Sequence, residues 1–167
     1  MTTSRVLELV YLMLPAYAAN MAPPFVKFWS GWNPPINRAL FGDHKTVVGF
    51  ALGVVVGIFV AFIQSRIGWS QSILGASNWL AIGLAAGFGA MLGDSIKSFA
   101  KRRVGIAPGN PWIPADQLDF VVGALVLMSP VIRLDWIDVA VILIVSFLGD
   151  IVVNHVSFWL GIRATKW

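Results

Sequence analysis

Residues 93–119 read GDSIKSFAKRRVGIAPGNPWIPADQLD. Apolar runs lie on both sides, so the stretch reads as the polar junction between two helices. It holds three of the eight acidic residues and four of the twelve basic ones. Asp94, Ser98 and Lys101 or Arg102 follow at intervals of three or four residues and share one helix face. A loop broken by Pro and Gly spans 104–115. Asp116 and Asp119 then open the next apolar run. One segment brings a carboxylate, a hydroxyl and cations, and the other brings two carboxylates. Carboxylates beside cations, in a chain with two His and no Cys, suit a hard metal such as Mg²⁺ holding a phosphate-bearing ligand.

The rest of the chain sets the solvent. Of 167 residues, 57% are hydrophobic and only 12% charged, where soluble domains carry roughly 25%. So few charges cannot cover a water-facing surface, and the expected class is an all-α, polytopic integral membrane protein forming one transmembrane domain, 1–167. Without Cys there is neither a disulfide nor a thiolate zinc site. The net charge of +4 comes from clustered Lys and Arg, which on a membrane protein mark the cytoplasmic face and not nucleic-acid binding.

Five spans are expected. The first is 5–22, with Pro15 as a bend, Asn20 near its end and Pro23-Pro24 as its stop. Residues 25–45 form a loop or half-buried segment whose Trp29 and Trp32 suit the headgroup layer. The second span is 47–66, where Gly49, Gly53 and Gly57 line one face as a seam for close packing. The third, 78–96, carries Gly83, Gly87, Gly89 and Gly93 and continues as helix to about Arg103. The fourth is 116–132 and the fifth 137–161. Each comes near the roughly 20 apolar residues that a crossing needs.

Five crossings put the termini on opposite sides and the loops 25–45 and 97–115 on the same side as the C-terminus. That side holds Lys27, Arg38, Lys45, Lys97, Lys101, Arg102, Arg103, Arg163 and Lys166, against Arg5, Arg66 and Arg133 on the other. The asymmetry places both loops in the cytoplasm and the N-terminus outside. The two loops are then expected to carry the active site.

Each candidate also has a plainer reading. Asp94 alone is a snorkelling acid at a helix end; the hydroxyl and cations that follow it favour a phosphate site. Either Asp116 or Asp119 alone is a first-turn acid complementing the helix dipole. Asp43-His44-Lys45-Thr46 reads as a helix start or as a second polar cluster. Asp150 and Asn154, four apart, read as hydrogen-bonding either to one another or across helices as packing glue, and His155 has no second His at ligand spacing. Lys97, Arg103 and Lys27 read as positive-inside charge. No G-x-x-x-x-G-K-[ST], G-x-S-x-G or H-E-x-x-H occurs, so neither a P-loop nor these hydrolase and zinc-protease sites are present.

Gly93-Asp94-x₃-Ser98-x₂-Lys101-Arg102, the Pro/Gly loop, and Asp116-x₂-Asp119 together resemble the signature of CTP-dependent phosphatidate cytidylyltransferases, and most closely the short archaeal CDP-archaeol synthases. Pro15-Ala16-Tyr17 with Ala19 to Pro23, Gly42 to Thr46, and the tail from Leu160 to Trp167 extend the likeness over nearly the whole chain. The signature usually carries a Lys-Asp pair and a Gly-rich run between its halves; here Ala107 to Trp112 lacks that acid. The resemblance implies Mg²⁺-dependent transfer of CMP from CTP to the phosphate of 2,3-bis-O-(geranylgeranyl)-sn-glycerol 1-phosphate, releasing pyrophosphate. On that basis Asp94, Asp116 and Asp119 are the expected metal ligands. Lys101 and Arg102 are expected on the triphosphate, with Ser98 donating a hydrogen bond. Asp43, Lys45, Thr46 and, more weakly, Asn20 are assigned to the nucleotide or lipid phosphate. A bent first span and the glycine seams would leave a lateral opening for the isoprenoid chains.

The competing reading is a transporter or flippase for a phosphorylated lipid, for which Asp150 is the main support. The crowding of acids at one side favours an enzyme over it and over a non-catalytic scaffold. A homodimer is allowed by the sequence but not required.

Overall fold

The structure is a computed structural model describing residues 2–43, 45–69, 73, 78–107 and 110–161. Expectations for His44 and for the tail from Ile162 to Trp167 lie outside the described residues. The helices are α1 (Thr3–Met21), α2 (Arg38–Phe41), α3 (Val47–Ile67), α4 (Trp79–Arg103), α5 (Ala115–Met128) and α6 (Trp136–Trp159), and a 3₁₀ turn, Pro23–Phe28, follows α1. No strand is present among the described residues; a lone antiparallel bridge joins Pro35 to Thr46.

Among the described residues, four stretches are long and apolar enough to cross a membrane: Thr3–Phe28, Val47–Ile67, Trp79–Arg103 and Trp136–Trp159. The expected fourth span, 116–132, is the exception. Its helix has 14 residues, about 21 Å at 1.5 Å per residue, against a hydrocarbon layer of about 30 Å. Residues 97–103, counted above within the 97–115 loop, are helical. The segment 25–45, read as loop, contains the 3₁₀ turn and α2. Pro15 lies inside α1 without ending it.

Local chemistry explains the helix ends that matter for the site. Thr46 Oγ1 accepts from Gly49 N at 3.2 Å and caps α3; Gly68, at φ +63°, ends it in the left-handed conformation. The C-terminus of α4 closes with Gly105 N donating to the Arg102 carbonyl at 3.3 Å and Ile106 N to the Lys101 carbonyl at 2.9 Å. That is a Schellman pair, with Gly105 at φ +77° as its pivot. The helix therefore stops sharply, and the chain turns back toward α5.

The core is made of Leu9, Leu12, Met13, Ala16 and Ala19 from α1, Ile82, Ala86, Ala90 and Met91 from α4, and Phe120, Val121, Ala124 and Met128 from α5. Small residues set how closely the helices approach. The expected Gly49, Gly53, Gly57 seam is buried on α3. A Cβ at Gly57 would come within 2.7 Å of the Gly87 Cα. The glycines of α4 divide between two faces. Gly83 and Gly87 meet α3, while Gly89 and Gly93 meet α5, where Gly123 faces them. α4 is thus clamped between two helices at backbone contact, and α5 is held in register beside its C-terminal half.

The chain runs up and down. At one end Arg5 pairs with Asp138, Tyr11 bonds Gln64 and Phe62 meets Trp79. At the other, Lys45 reaches Asp94, Phe41 meets Phe99 and α4 ends beside the start of α5. The segments around 25–45 and 104–114 therefore share one end of the bundle. In α6, Asn154 Nδ2 donates to Asp150 Oδ2 at 2.7 Å, a bond within one helix, the first of the two arrangements that the spacing allows.

Candidate active site

Three carboxylates converge where α4 meets α5. Asp94 projects from α4, and Asp116 and Asp119 from the first two turns of α5, which the backbone contact at Gly93 holds in place. They do not meet each other directly; they meet around Lys97. Its Nζ lies 3.3 Å from Asp94 Oδ1, 3.0 Å from Asp116 Oδ1 and 2.9 Å from Asp119 Oδ2. Lys97, read from the sequence as topological charge, is instead the centre of the cluster. Its position three residues after Asp94 on the same face was the available signal.

Two further ammonium groups complete the network. Lys45 Nζ bonds Asp94 Oδ2. Backbone pairing sets its position: Ile36 N donates to the Lys45 carbonyl at 2.7 Å and Val47 N to the Pro34 carbonyl at 3.0 Å. Lys101 is buried and lies 3.0 Å from both oxygens of Asp116, while also donating to the Asn110 carbonyl at 2.5 Å. Asp116 accepts in turn from Trp112 N at 2.6 Å. Lys101 and Asp116 thus pin the loop between α4 and α5. The three carboxylates and three ammonium groups balance in formal charge. Asp94 has two cationic partners and Asp116 has two, whereas Asp119 has Lys97 alone among the described residues.

The remaining sequence candidates divide. Arg102 keeps a buried Nε with no hydrogen-bond partner among the described residues, a donor without an acceptor at this end of the bundle. Ser98 Oγ donates to its own helix, to the Asp94 carbonyl at 2.8 Å, and not toward an open site. Thr46 is occupied as the α3 cap. Asp43 stands apart from the cluster. It is paired with Arg38 at 3.0 Å, with both side chains about three-quarters exposed. Asn20 is half-buried at the end of α1.

An apolar groove of about 420 Å³ runs between α4 and α5, with Ile96, Leu118, Val122 and Val126 among its walls and Lys97, Asp119 and Trp112 in its lining. Ile96, Val122 and Val126 are exposed on the outer surface of the bundle, so the groove opens sideways. A second apolar recess of about 380 Å³ lies between the 3₁₀ turn and α3, lined by Phe25, Phe28, Trp29, Val48 and Leu52 among others.

The donors suit a hard divalent cation: three carboxylates aimed at one point, with neither thiolate nor imidazole. Among the described residues no three Asp, Glu, His or Cys side chains stand as a ready-made metal cage; the ammonium of Lys97 lies between the three carboxylates.

Residues 3–167 match the family described as CarS-like, CDP-archaeol synthase. The chain is 34% identical over 170 residues to the CDP-archaeol synthase of Methanospirillum hungatei, covering 93% of this chain and all of that one. It is 36% identical over 172 residues to that of Methanoculleus marisnigri, again covering 93% and 100%. The CDP-archaeol synthase of Saccharolobus islandicus is 33% identical over 163 residues, covering 95% of this chain and 94% of the relative. A solved structure described as "Structural insight into an intramembrane enzyme for archaeal membrane lipids biosynthesis" superposes with a TM-score of 0.68 at 29% identity, over 89% of this chain and 94% of that one. The chain is a multi-pass membrane protein that belongs to the CDP-archaeol synthase family.

Proposed function

We propose that the chain transfers the cytidylyl group of CTP to the phosphate of an isoprenoid ether lipid, 2,3-bis-O-(geranylgeranyl)-sn-glycerol 1-phosphate, releasing pyrophosphate and forming CDP-archaeol. The observation that carries this reading is the convergence of Asp94, Asp116 and Asp119 on one cation position beside a groove that is apolar along its walls. A lipid phosphate is a molecule of that shape, one charged end and long apolar chains.

The bonds exchanged are simple. A lipid phosphate oxygen attacks the α-phosphorus of CTP, a new P–O bond forms, and the bond to the β-phosphate breaks with its electron pair leaving on pyrophosphate. A phosphate monoester is largely ionised at neutral pH, its second pKa being about 6, so no protein base is needed. What the protein supplies is position and compensation of charge. Asp94, Asp116 and Asp119 would hold Mg²⁺, which supplies charge neutralisation between the two phosphorylated reactants and at the pyrophosphate. Lys45 and Lys97 stand beside those carboxylates, and Arg102 offers its unpaired donor to a phosphate oxygen. Lys101 acts through Asp116 by fixing the loop. The lateral groove takes an isoprenoid chain from the bilayer.

This chemistry is assigned to the inner face of the cell membrane. The chain crosses five times, with α5 as a short crossing, the N-terminus outside and the cluster in the cytoplasm, where CTP is available. The Lys and Arg surplus at this end supports that orientation. Accumulation of polar groups at one end of the bundle weighs against a transporter, which needs them along a path.

The test is pyrophosphate release from CTP and the lipid phosphate in detergent. Release is expected to need Mg²⁺, and Asp119→Asn is expected to abolish it while the protein keeps its wild-type elution profile. Turnover retained in that variant refutes the assignment.

A further inference from the structure

We infer that Lys97 is an internal stand-in for the metal: its ammonium gathers the three carboxylates when no divalent cation is bound and yields the common point when one enters. The inference rests on the reading of Asp94, Asp116 and Asp119 as metal ligands.

Three observations lead to it. First, Lys97 Nζ lies within 3.3 Å of a carboxylate oxygen from each of the three aspartates. An ammonium there offers three donors to three acceptors, which is the requirement that a cation at the same point meets. Second, the need is local. Without Lys97, Asp94 keeps Lys45 and Asp116 keeps Lys101, but Asp119 loses its one cationic partner among the described residues. Asp119 is also the most enclosed of the three carboxylates, its side chain 6% exposed against 15% for Asp94 and 20% for Asp116. Asp119 keeps a hydrogen bond from Phe120 N at 2.5 Å, but a carboxylate so enclosed is expensive to leave charged without a cation, so a cation between the acids favours the packing of α5 against α4 at this point. Third, Lys97 lines the groove between α4 and α5. A displaced ammonium therefore has an adjoining space to enter, at the edge of the groove proposed for the lipid chain.

The charge count gives the exchange a purpose. Three carboxylates with Lys45, Lys97 and Lys101 sum to zero, so before metal loading Arg102 is left as the main attraction for an anion. A divalent cation among the same carboxylates, with Lys97 retained beside it, makes the sum +2. Affinity for phosphate then rises with metal loading. Lys97 is a positioning residue before loading and a phosphate contact after it.

The experiment measures metal binding, not turnover. Mn²⁺ is titrated into detergent-purified wild type, Lys97→Met, Lys97→Gln and Asp119→Asn, with free Mn²⁺ read by electron paramagnetic resonance. Thermal unfolding is followed in EDTA and in saturating Mg²⁺. Both Lys97 variants should bind Mn²⁺ at least tenfold more tightly than wild type, because no ammonium has to be displaced. Their melting temperatures should fall below wild type in EDTA and return toward it in Mg²⁺. Should Lys97→Met survive only when purified with Mg²⁺, the Mn²⁺ titration is run by competition from that state. Equal Mn²⁺ affinity in wild type and the Lys97 variants, with Asp119→Asn still weakened, overturns the role of Lys97 alone. Mn²⁺ binding that Asp119→Asn leaves unchanged overturns the metal site and this inference together.

Discussion

Gly93 of α4 lies against the main-chain carbonyl of Asp119 in α5, so closely that a Cβ at position 93 would run into it. With Gly89 and Gly123 one turn further along, Gly93 sets the distance between the helix carrying Asp94 and Lys97 and the helix carrying Asp116 and Asp119. The contact that packs the fold also assembles the cluster.

Gly93→Val should separate these elements. Backbone on both sides of the clash cannot move aside as a side chain would, so α5 must shift. Overpacking of this kind costs about 1–3 kcal/mol. The expected result is a clear fall in melting temperature together with loss of pyrophosphate release by at least a hundredfold. Gly149→Ala, at an α6 position with open space around the added methyl, is the control and should leave both measurements close to wild type.

Lys101 and Asp116 should behave as a structural pair. Lys101 is held by both oxygens of Asp116 and by the Asn110 carbonyl, and removing one partner of an enclosed pair costs about 3–5 kcal/mol. Asp116 is one-fifth exposed, so the lower part of that range applies. Lys101→Met and Asp116→Asn should each lower the melting temperature, and the double variant should be less destabilised than the sum. Additive losses would mean that the pair does not fix the loop.

Much of this was legible in the sequence, and what was not has physical causes. The all-helical membrane class follows from scarcity of charge, and the glycine seam of α3 from spacing alone. The gathering of Asp94, Asp116 and Asp119 could be anticipated because a helix end and the next helix start meet across one turn. The expected fourth span overruns α5 because Val131 and Ile132 extend the apolar stretch, but Ser129-Pro130 between them and Met128 carry the stop signal at which the helix ends. The role of Lys97 is only half legible: it shares a face with Asp94, but a lysine at a helix end reads as topological charge unless its partners on the next helix are known. Ser98, Thr46 and Asp43 carry the right chemistry for phosphate or metal, but nearby backbone groups or Arg38 engage them. Such local bonds compete with ligand contacts without any trace in residue spacing.

The far end of the bundle should matter for stability and not for chemistry. Arg5 Nε and Nη2 reach the two oxygens of Asp138 at 3.2 and 2.5 Å, and Arg5 also bonds Glu8 at 2.9 Å. The pair ties the start of α1 to the start of α6, which otherwise packs lightly. Asp138 is nearly enclosed, but the Arg5 side chain is about one-third exposed, so solvent screens part of the attraction. Arg5→Met should therefore lower stability by about 1–2 kcal/mol. At a temperature where the variant is folded, kcat/KM for CTP should stay within twofold of wild type. A large loss of turnover there would place the reaction elsewhere in the bundle.

The groove between α4 and α5 should govern the lipid and leave the nucleotide alone. Val122 and Val126 lie one helical turn apart on its wall and both are exposed on the outer face. Val126→Trp fills space that the proposed chain would occupy, away from the carboxylates, and an exposed site tolerates the larger ring without a packing penalty. KM for the geranylgeranyl lipid phosphate should rise about tenfold or more, corresponding to roughly 1.4 kcal/mol of lost apolar contact. KM for CTP should not change. A lipid phosphate with chains too short to reach Val126 should be used equally by both proteins. This comparison decides the matter: if the short and long lipids suffer alike, the ring has disturbed the site and not the path of the chain. If neither suffers, the chain lies elsewhere, and the recess beside Phe25, Phe28 and Trp29 becomes the place to repeat the substitution.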